Sequence, residues 1–172
     1  MNQEKLKGLI RNIPDFPKKG ILFRDITPLL ADGEAFRFAV DALAAACPSE
    51  TEIVAGIESR GFIFAAAVAC MLKTGFVPIR KSGKLPYFTE KETYSLEYGT
   101  DSLEVHRDPL SHKRRVVLVD DLLATGGTAA AACRLLTKIG GQVIKTVFLI
   151  ELAELKGREK IISYNPFSLL IF

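Results

Sequence analysis

The sequence predicts a doubly wound α/β domain built on a mainly parallel sheet. Short apolar runs that fit buried strands alternate with longer runs that fit helices, and this alternation is typical of a parallel sheet covered on both faces. No internal repeat or linker divides the chain, so we expect a single domain over residues 1–172. The predicted strands are 51–56, 76–80, 116–119 and 142–150, and the longer predicted helices are 33–46, 61–73 and 127–139.

Two stretches depart from this alternation. Residues 2–11 predict a short amphipathic helix, and residues 12–32 form a segment punctuated by Pro and Gly. Residues 82–99 are polar and punctuated, and they become β-like near their end. A long excursion of this kind inside a domain is often functional. A lid over a site and a plain surface hairpin both fit its composition.

Bulk composition excludes several classes of protein. The 23 basic and 20 acidic residues leave a net charge of +3, too small to indicate binding to nucleic acid or to a membrane surface. The N-terminus has no apolar signal core, and the apolar run 61–72 is too short to span a bilayer. Cys47, Cys70 and Cys133 are far apart in apolar stretches, which indicates reduced thiols rather than disulfides or metal ligands. We therefore expect a soluble, cytoplasmic protein.

The most informative segment joins a buried strand, two carboxylates, a glycine loop and a helix. Asp120 and Asp121 follow the apolar strand, and the loop 124–128 reads Ala-Thr-Gly-Gly-Thr. Glycines let the backbone approach a ligand closely, and the start of a helix favours a phosphate. The paired carboxylates would repel a phosphate but suit the vicinal hydroxyls of a ribose. The segment thus predicts a ribose 5-phosphate site, and a plain strand–turn–helix capped by Asp121 or Thr128 is the alternative.

The same segment resembles the signature by which type I phosphoribosyltransferases bind 5-phosphoribosyl-1-pyrophosphate (PRPP). The resemblance implies the fold of that family, with a small N-terminal hood and a flexible lid loop over 82–99. It also implies a homodimer, a Mg²⁺–PRPP substrate and displacement of pyrophosphate at the sugar C1. No metal ligand is assigned directly, because Mg²⁺ is expected to be held mainly through PRPP. The residues implied to contact the phosphate and ribose of PRPP or AMP are Asp120, Asp121, Ala124, Thr125, Gly126, Gly127 and Thr128.

Further blocks, in their order and spacing, resemble the adenine phosphoribosyltransferase branch of that family. They are Pro14–Pro17, Gly20–Pro28, Gly56–Phe62, Ile79–Pro86, Tyr94–Gly99 and Leu155–Lys160. The resemblance implies transfer of the phosphoribosyl group to adenine, which gives AMP and pyrophosphate, and a non-proline cis peptide near Glu58–Ser59. The residues it implies are Leu22, Phe23 and Arg24 for adenine, Ser59, Arg60, Arg80, Lys81 and Lys84 for pyrophosphate, and Glu97 and Tyr98 as catalytic residues in the lid.

Simpler interpretations stand beside these roles. An isolated Phe such as Phe23 is usually a core residue, a basic cluster such as 80–84 is usually a solvated face, and a lone loop Glu such as Glu97 is usually solvated. Within the same enzyme class, the base could instead be hypoxanthine, guanine or orotate. From a different class, the chain could be a regulator that senses PRPP without catalysis.

Overall fold

The structure, a computed structural model, describes residues 1–95, 99–110 and 114–172, which form two units, Met1–Ala42 and Leu43–Phe172. The single domain over 1–172 stays a prediction. Among the described residues, no helix combines the length and the apolar character that crossing a membrane requires.

The first unit consists of short elements and the start of a longer helix. These are α1 (Gln3–Gly8), β1 (Arg11–Pro14), β2 (Leu22–Asp25), α2 (Thr27–Ala31) and most of α3 (Gly33–Ala46). Strands β1 and β2 pair antiparallel, whereas only a segment punctuated by Pro and Gly was predicted there. The turn between them explains the difference. Asp15 and Gly20 both have positive φ, and the Gly20 N–H donates to the Asp15 carboxylate over 2.7 Å, which closes the hairpin.

The second unit is a seven-stranded sheet with helices on both faces. Its elements are β3 (Ile53–Ile57), α4 (Gly61–Leu72), β4 (Gly75–Lys81), β5 (Thr89–Ser95), β6 (Thr100–His106), β7 (Arg115–Leu123), α5 (Gly127–Lys138), β8 (Gln142–Glu151), the 3-10 helices Ala153–Leu155 and Gly157–Tyr164, and β9 (Pro166–Ile171). The strand order is β5-β6-β4-β3-β7-β8-β9. Strands β4, β3, β7, β8 and β9 run parallel, and β5 and β6 are antiparallel additions. The predicted doubly wound, mainly parallel architecture is confirmed.

Successive residues of the central strands point to opposite faces of the sheet, so each strand contributes to two separate packed layers. On one face, Ala55 and Leu118 belong to the same buried cluster as Leu135 of α5. On the other face, Gly56 leaves room for α4, since a Cβ there would press on the Ala65 side chain. Because each central strand is covered twice, it reads as a continuous apolar run, which is why the strand signal was clear.

Part of the expected lid loop over 82–99 is strand in the structure. Residues 89–95 form β5, which pairs with β6 along its whole length. Alternation explains the pairing, because Tyr94 is buried while Thr93 is exposed beside Ser102. The β-like character predicted near the end of the segment is confirmed for 93–95, and the strand begins earlier than expected, at Thr89. That the segment acts as a lid stays a prediction. Ser82–Phe88 remains irregular.

Candidate active site

The phosphate loop, residues 124–128, connects β7 to α5 at the carboxyl edge of the sheet. Gly126 precedes the first helical residue and has φ +76°, a left-handed conformation that favours glycine. The first amide groups of α5 have no acceptor one turn earlier in the helix, so they are available to an anion. Strands β3 and β7 are neighbours in the sheet, and the strands that follow them in the chain, β4 and β8, lie on opposite sides of this pair. Open α/β sheets bind ligands at such a topological switch point.

Asp120 and Asp121, the acid pair, lie at the end of β7, and both are buried. The Asp121 N–H donates to Asp120 Oδ1 over 2.9 Å, and Asp121 Oδ2 lies 2.7 Å from Nη2 of Arg60. Burial raises the pKa of Asp120 well above its usual value, and the neighbouring Asp121 charge adds to the effect. Burial also raises the pKa of Asp121, although Arg60 opposes it. Gly61 allows this packing, since a Cβ there would overlap Asp120 Oδ1.

Glu58 organises the basic cluster, a set of three cations that consists of Arg80 and Lys81 at the end of β4 and Lys84 just after it. Its buried carboxylate accepts from Arg80 Nε over 2.9 Å and from the Lys81 N–H over 2.8 Å, and it lies 3.0 Å from Lys84 Nζ. Burial alone would raise the pKa of Glu58, but the Lys81 N–H, Lys84 and Arg80 together hold that pKa below its usual value. This role of Glu58 was not predicted, because in a sequence a carboxylate near cations looks like one more surface charge. The Glu58–Ser59 peptide bond is cis, which confirms the expectation for this turn.

A second chain of polar contacts joins the phosphate loop to the β5–β6 hairpin. The Thr128 hydroxyl donates to the Tyr94 hydroxyl over 3.2 Å, and the Tyr94 hydroxyl donates to Asp101 Oδ2 over 3.4 Å. The same carboxylate oxygen lies 3.2 Å from Lys81 Nζ. Tyr94 and Asp101 were not predicted as site residues, because only the fold brings β5 and β6 beside the loop.

A cavity of about 410 Å³ brings the predicted phosphate, ribose and pyrophosphate residues together. Its lining includes Ser59, Arg60, Lys81, Asp120, Asp121, Ala124, Thr125, Gly126, Gly127 and Thr128. Arg80 and Lys84 are not among its lining residues. Both form ion pairs with Glu58, which does line the cavity. A lining of amide donors, cations and acids suits a phosphorylated sugar better than an apolar ligand.

The predicted adenine residues lie on β2 in the first unit. Phe23 packs edge to face against Phe16, with ring centroids 5.1 Å apart, and Arg24 Nη1 donates to Asn12 Oδ1 over 2.5 Å. The Leu22 side chain is 45% exposed. Their role in binding adenine stays a prediction. Glu97 and Tyr98 lie outside the described residues.

Comparison with known proteins decides the family. The phosphoribosyl transferase domain family matches residues 29–170 of the chain. An adenine phosphoribosyltransferase from Christiangramia forsetii is 52% identical over 167 residues, which covers 96% of this chain and 98% of the relative. The chain belongs to the adenine phosphoribosyltransferase family. It is therefore an enzyme of the transferase class.

Solved structures of the family share the whole fold. The adenine phosphoribosyltransferase from Thermoanaerobacter pseudethanolicus has a TM-score of 0.96 at 50% identity and covers 99% of this chain and 100% of its own. The enzyme from Saccharomyces cerevisiae, crystallised with an imino-altritol bisphosphate and adenine, has a TM-score of 0.92 at 39% identity over 98% of each chain. The predicted type I phosphoribosyltransferase fold is thereby confirmed.

Asp120→Asn is expected to stabilise the folded protein, and the gain should grow with pH. Because burial raises the pKa of Asp120, the folded state retains a proton that the unfolded chain releases at lower pH. The free energy of unfolding of the unmodified protein therefore falls as pH rises from about 4 toward the raised pKa. Asparagine carries no such penalty. Chemical denaturation at pH values of about 4 and about 8 measures the difference between the two proteins.

Asp108→Asn is the matched control, since Asp108 is exposed. Its free energy of unfolding should stay within about 0.5 kcal/mol of the unmodified protein at both pH values. An Asp120→Asn protein no more stable than the unmodified one at the higher pH would contradict a buried, proton-retaining acid pair.

Proposed function

We propose that this enzyme transfers the 5-phosphoribosyl group from PRPP to adenine, giving AMP and pyrophosphate, the reaction of purine salvage. The observation that carries the proposal is the acid pair beside the phosphate loop in one cavity, with Arg60 and Lys81 on its wall. The two parts together fit the two ends of a ribose 5-phosphate. The family to which the chain belongs supports the same substrates.

The 5-phosphate is held by the phosphate loop. The amide groups of Gly126, Gly127 and Thr128 donate to its oxygens, and the start of α5 adds the partial positive charge of the helix. The acid pair then accepts hydrogen bonds from the ribose 2- and 3-hydroxyls. The buried carboxylates have lost hydrogen bonds to water, and the sugar hydroxyls supply new ones. Binding of the sugar therefore offsets part of the free-energy cost of burying these carboxylates.

The leaving pyrophosphate is held by Ser59, Arg60 and the basic cluster. In the structure each of these cations has a carboxylate partner: Arg60 has Asp121, Lys81 has Asp101, and Arg80 and Lys84 have Glu58. Arrival of pyrophosphate exchanges these partners for phosphate oxygens. The exchange leaves the cations in place, so charge that develops on the leaving group meets donors already positioned for it.

Mg²⁺ is the metal of the reaction and arrives with PRPP. Among the described residues, no group of three His, Cys, Asp or Glu side chains could hold a metal, so the ion would be held mainly through the phosphate oxygens of PRPP. When bound, Mg²⁺ neutralises charge on the departing pyrophosphate.

Adenine is bound by Leu22, Phe23 and Arg24 of β2. The Phe23 ring stacks on the purine, and the strand backbone pairs with adenine N1 and N6. Hypoxanthine and guanine present the opposite hydrogen-bond polarity at that edge and leave the backbone groups unpaired, which rejects them strongly.

The direct test mixes adenine, PRPP and Mg²⁺ with the enzyme and measures AMP and pyrophosphate. AMP should form from adenine, while hypoxanthine, guanine and orotate should give far less nucleotide. Asp121→Asn should raise KM for PRPP by about 10- to 100-fold, because charge-assisted hydrogen bonds to the diol are lost. KM for adenine should change much less.

Failure to form AMP would refute the proposed reaction. PRPP binding without pyrophosphate release would favour a regulator that senses PRPP. If Asp121→Asn weakened adenine and PRPP alike, the loss would reflect misfolding rather than a missing sugar contact.

Glu97 and Tyr98 act at the reacting sugar carbon. The bond from C1 to pyrophosphate breaks and a bond from C1 to a purine nitrogen forms, through a transition state of oxocarbenium character, while adenine gives up a proton. Glu97 aids movement of that proton or stabilises the positive ribosyl centre.

Glu97→Gln should lower turnover by about 10²–10⁴-fold if Glu97 is a general acid–base group. Glu50→Gln, at an exposed position in the same unit, is the control and should keep its turnover. Steady-state rates at saturating substrates make the comparison. Near-normal turnover in the Glu97 variant would remove Glu97 from the mechanism.

The enzyme is a homodimer that associates through α4. From Gly61 to Leu72 this helix has no charged residue, and its outer side leaves Ile63 40% and Met71 38% exposed. A helix that is apolar on all sides belongs in a buried environment, and a second copy of the chain supplies one.

Ile63→Glu should convert the dimer to a monomer, because a carboxylate would be buried at the interface without a partner. Ile162→Glu, at a 63% exposed site away from α4, should leave the dimer intact. Light scattering on both purified variants measures their mass. A monomeric unmodified protein, or a dimeric Ile63 variant, would contradict this interface.

The enzyme works in the cytoplasm on small molecules, with no nucleic-acid or membrane partner. Its cysteines are all free thiols, as a reducing compartment maintains them. Burial raises the pKa of Cys133 to about 12, so this thiol is inert rather than catalytic.

A further inference from the structure

The phosphate loop rests against the turn that begins the second 3-10 helix, Gly157–Tyr164. Gly126 and Gly157 meet there backbone to backbone. A Cβ on Gly126 would overlap Gly157 O and lie 3.0 Å from Gly157 Cα. A Cβ on Gly157 would overlap Ala124 O and lie 2.8 Å from Gly126 N. The atoms that a side chain at 157 would strike therefore belong to the phosphate loop itself.

The two glycines are needed for different reasons. Gly126 has φ +76°, so its conformation disfavours a side chain whatever the space around it. Gly157 is not among the residues with positive φ, and it is buried. At Gly157 the requirement is therefore one of space alone, set by the carbonyl of Ala124 and the amide of Gly126.

Arg158 fixes the turn that carries Gly157. Its guanidinium binds the buried carboxylate of Glu151 through two nitrogens, with Nε at 3.0 Å and Nη2 at 2.5 Å. It also donates to Pro166 O over 2.6 Å and to the Ser168 hydroxyl over 3.4 Å. The hydrogen bond from Arg158 holds the pKa of Glu151 below its usual value, so the pair stays charged. Arg158 thereby ties the turn to the last residue of β8 and to the first half of β9.

We propose that Gly157 and Arg158 are positioning residues for the phosphate loop. Arg158 anchors the turn to the sheet, and Gly157 sets the height at which residues 124–126 lie above it. Neither residue touches substrate. They act through the loop amides, whose alignment with the phosphate oxygens tolerates displacements of only a fraction of an ångström. This inference rests on the proposed function and gives a purpose to the block Leu155–Lys160, to which the sequence analysis assigned no role.

Gly157→Ala in the full chain tests the inference by steady-state kinetics. A methyl group pushes Ala124 and Gly126 outward, so KM for PRPP should rise by about ten-fold or more. KM for adenine should stay within about two-fold, because β2 is untouched. Gly33→Ala is the matched control, since a Cβ at Gly33 meets nothing within 4 Å. It should leave both KM values unchanged.

Arg158→Gln and Arg158→Lys provide an independent measurement if Gly157→Ala fails to fold. Gln loses the charge and the bidentate pair, whereas Lys keeps the charge without the fork. Both should raise KM for PRPP selectively, with the larger effect in the Gln variant.

The outcomes separate this inference from the proposed function. An unmodified enzyme that makes no AMP refutes the function. If the unmodified enzyme is active, the positioning role is refuted when the folded Gly157 variant loses turnover while its KM for PRPP stays unchanged. The same result in the Arg158 variants also refutes it. Equal rises in both KM values would also refute it.

Discussion

The active-site cavity depends on two carboxyl groups that are buried side by side at the end of a central strand. Asp120 and Asp121 cannot both be charged there without compensation, since each lies out of water beside the other. Arg60 supplies part of that compensation, and Gly61 gives Asp120 the space to pack beneath the start of α4. In the proposed function, a sugar that donates hydrogen bonds to both acids supplies more. The acid pair carries a free-energy cost of burial, and the proposed substrate would offset part of that cost by hydrogen bonding to it.

The remaining charges of the cavity are balanced locally. Glu58 neutralises part of the basic cluster, and Asp101 pairs with Lys81. Without these carboxylates, the cations beside the cavity would repel one another and spread into solvent. With them, the cations stay close to the positions that a polyanion requires. Glu58 and Asp101 therefore hold these cations in position beside the cavity.

The sequence predicted the central architecture and most of the cavity because both depend on local order along the chain. Strand β7, the acid pair, the phosphate loop and α5 follow one another without interruption, so each could be read from its neighbours. Tyr94 and Asp101 could not be read in this way, since pairing of β4, β5 and β6 brings them to the site. The partnership of Glu58 with Lys84 depends on the pairing of β3 with β4. The β1–β2 hairpin escaped prediction because its closing contact joins Asp15 to Gly20 across a segment that looked merely punctuated. The strand at 166–171 was missed because it begins at a proline and its two buried residues, Leu169 and Leu170, are adjacent, so it shows no alternation.

The outermost strands of the sheet have a consequence for the behaviour of the protein in a crowded solution. An open strand edge is a template on which another chain can add by backbone hydrogen bonding. Strand β5 carries Glu90, Lys91 and Glu92, and α5 anchors two of these through Lys138 and Arg134. Strand β9 begins at Pro166, which has no amide hydrogen to offer. The charges on edge strand β5 and the missing amide donor at the start of edge strand β9 both disfavour edge-to-edge pairing with the sheets of other molecules.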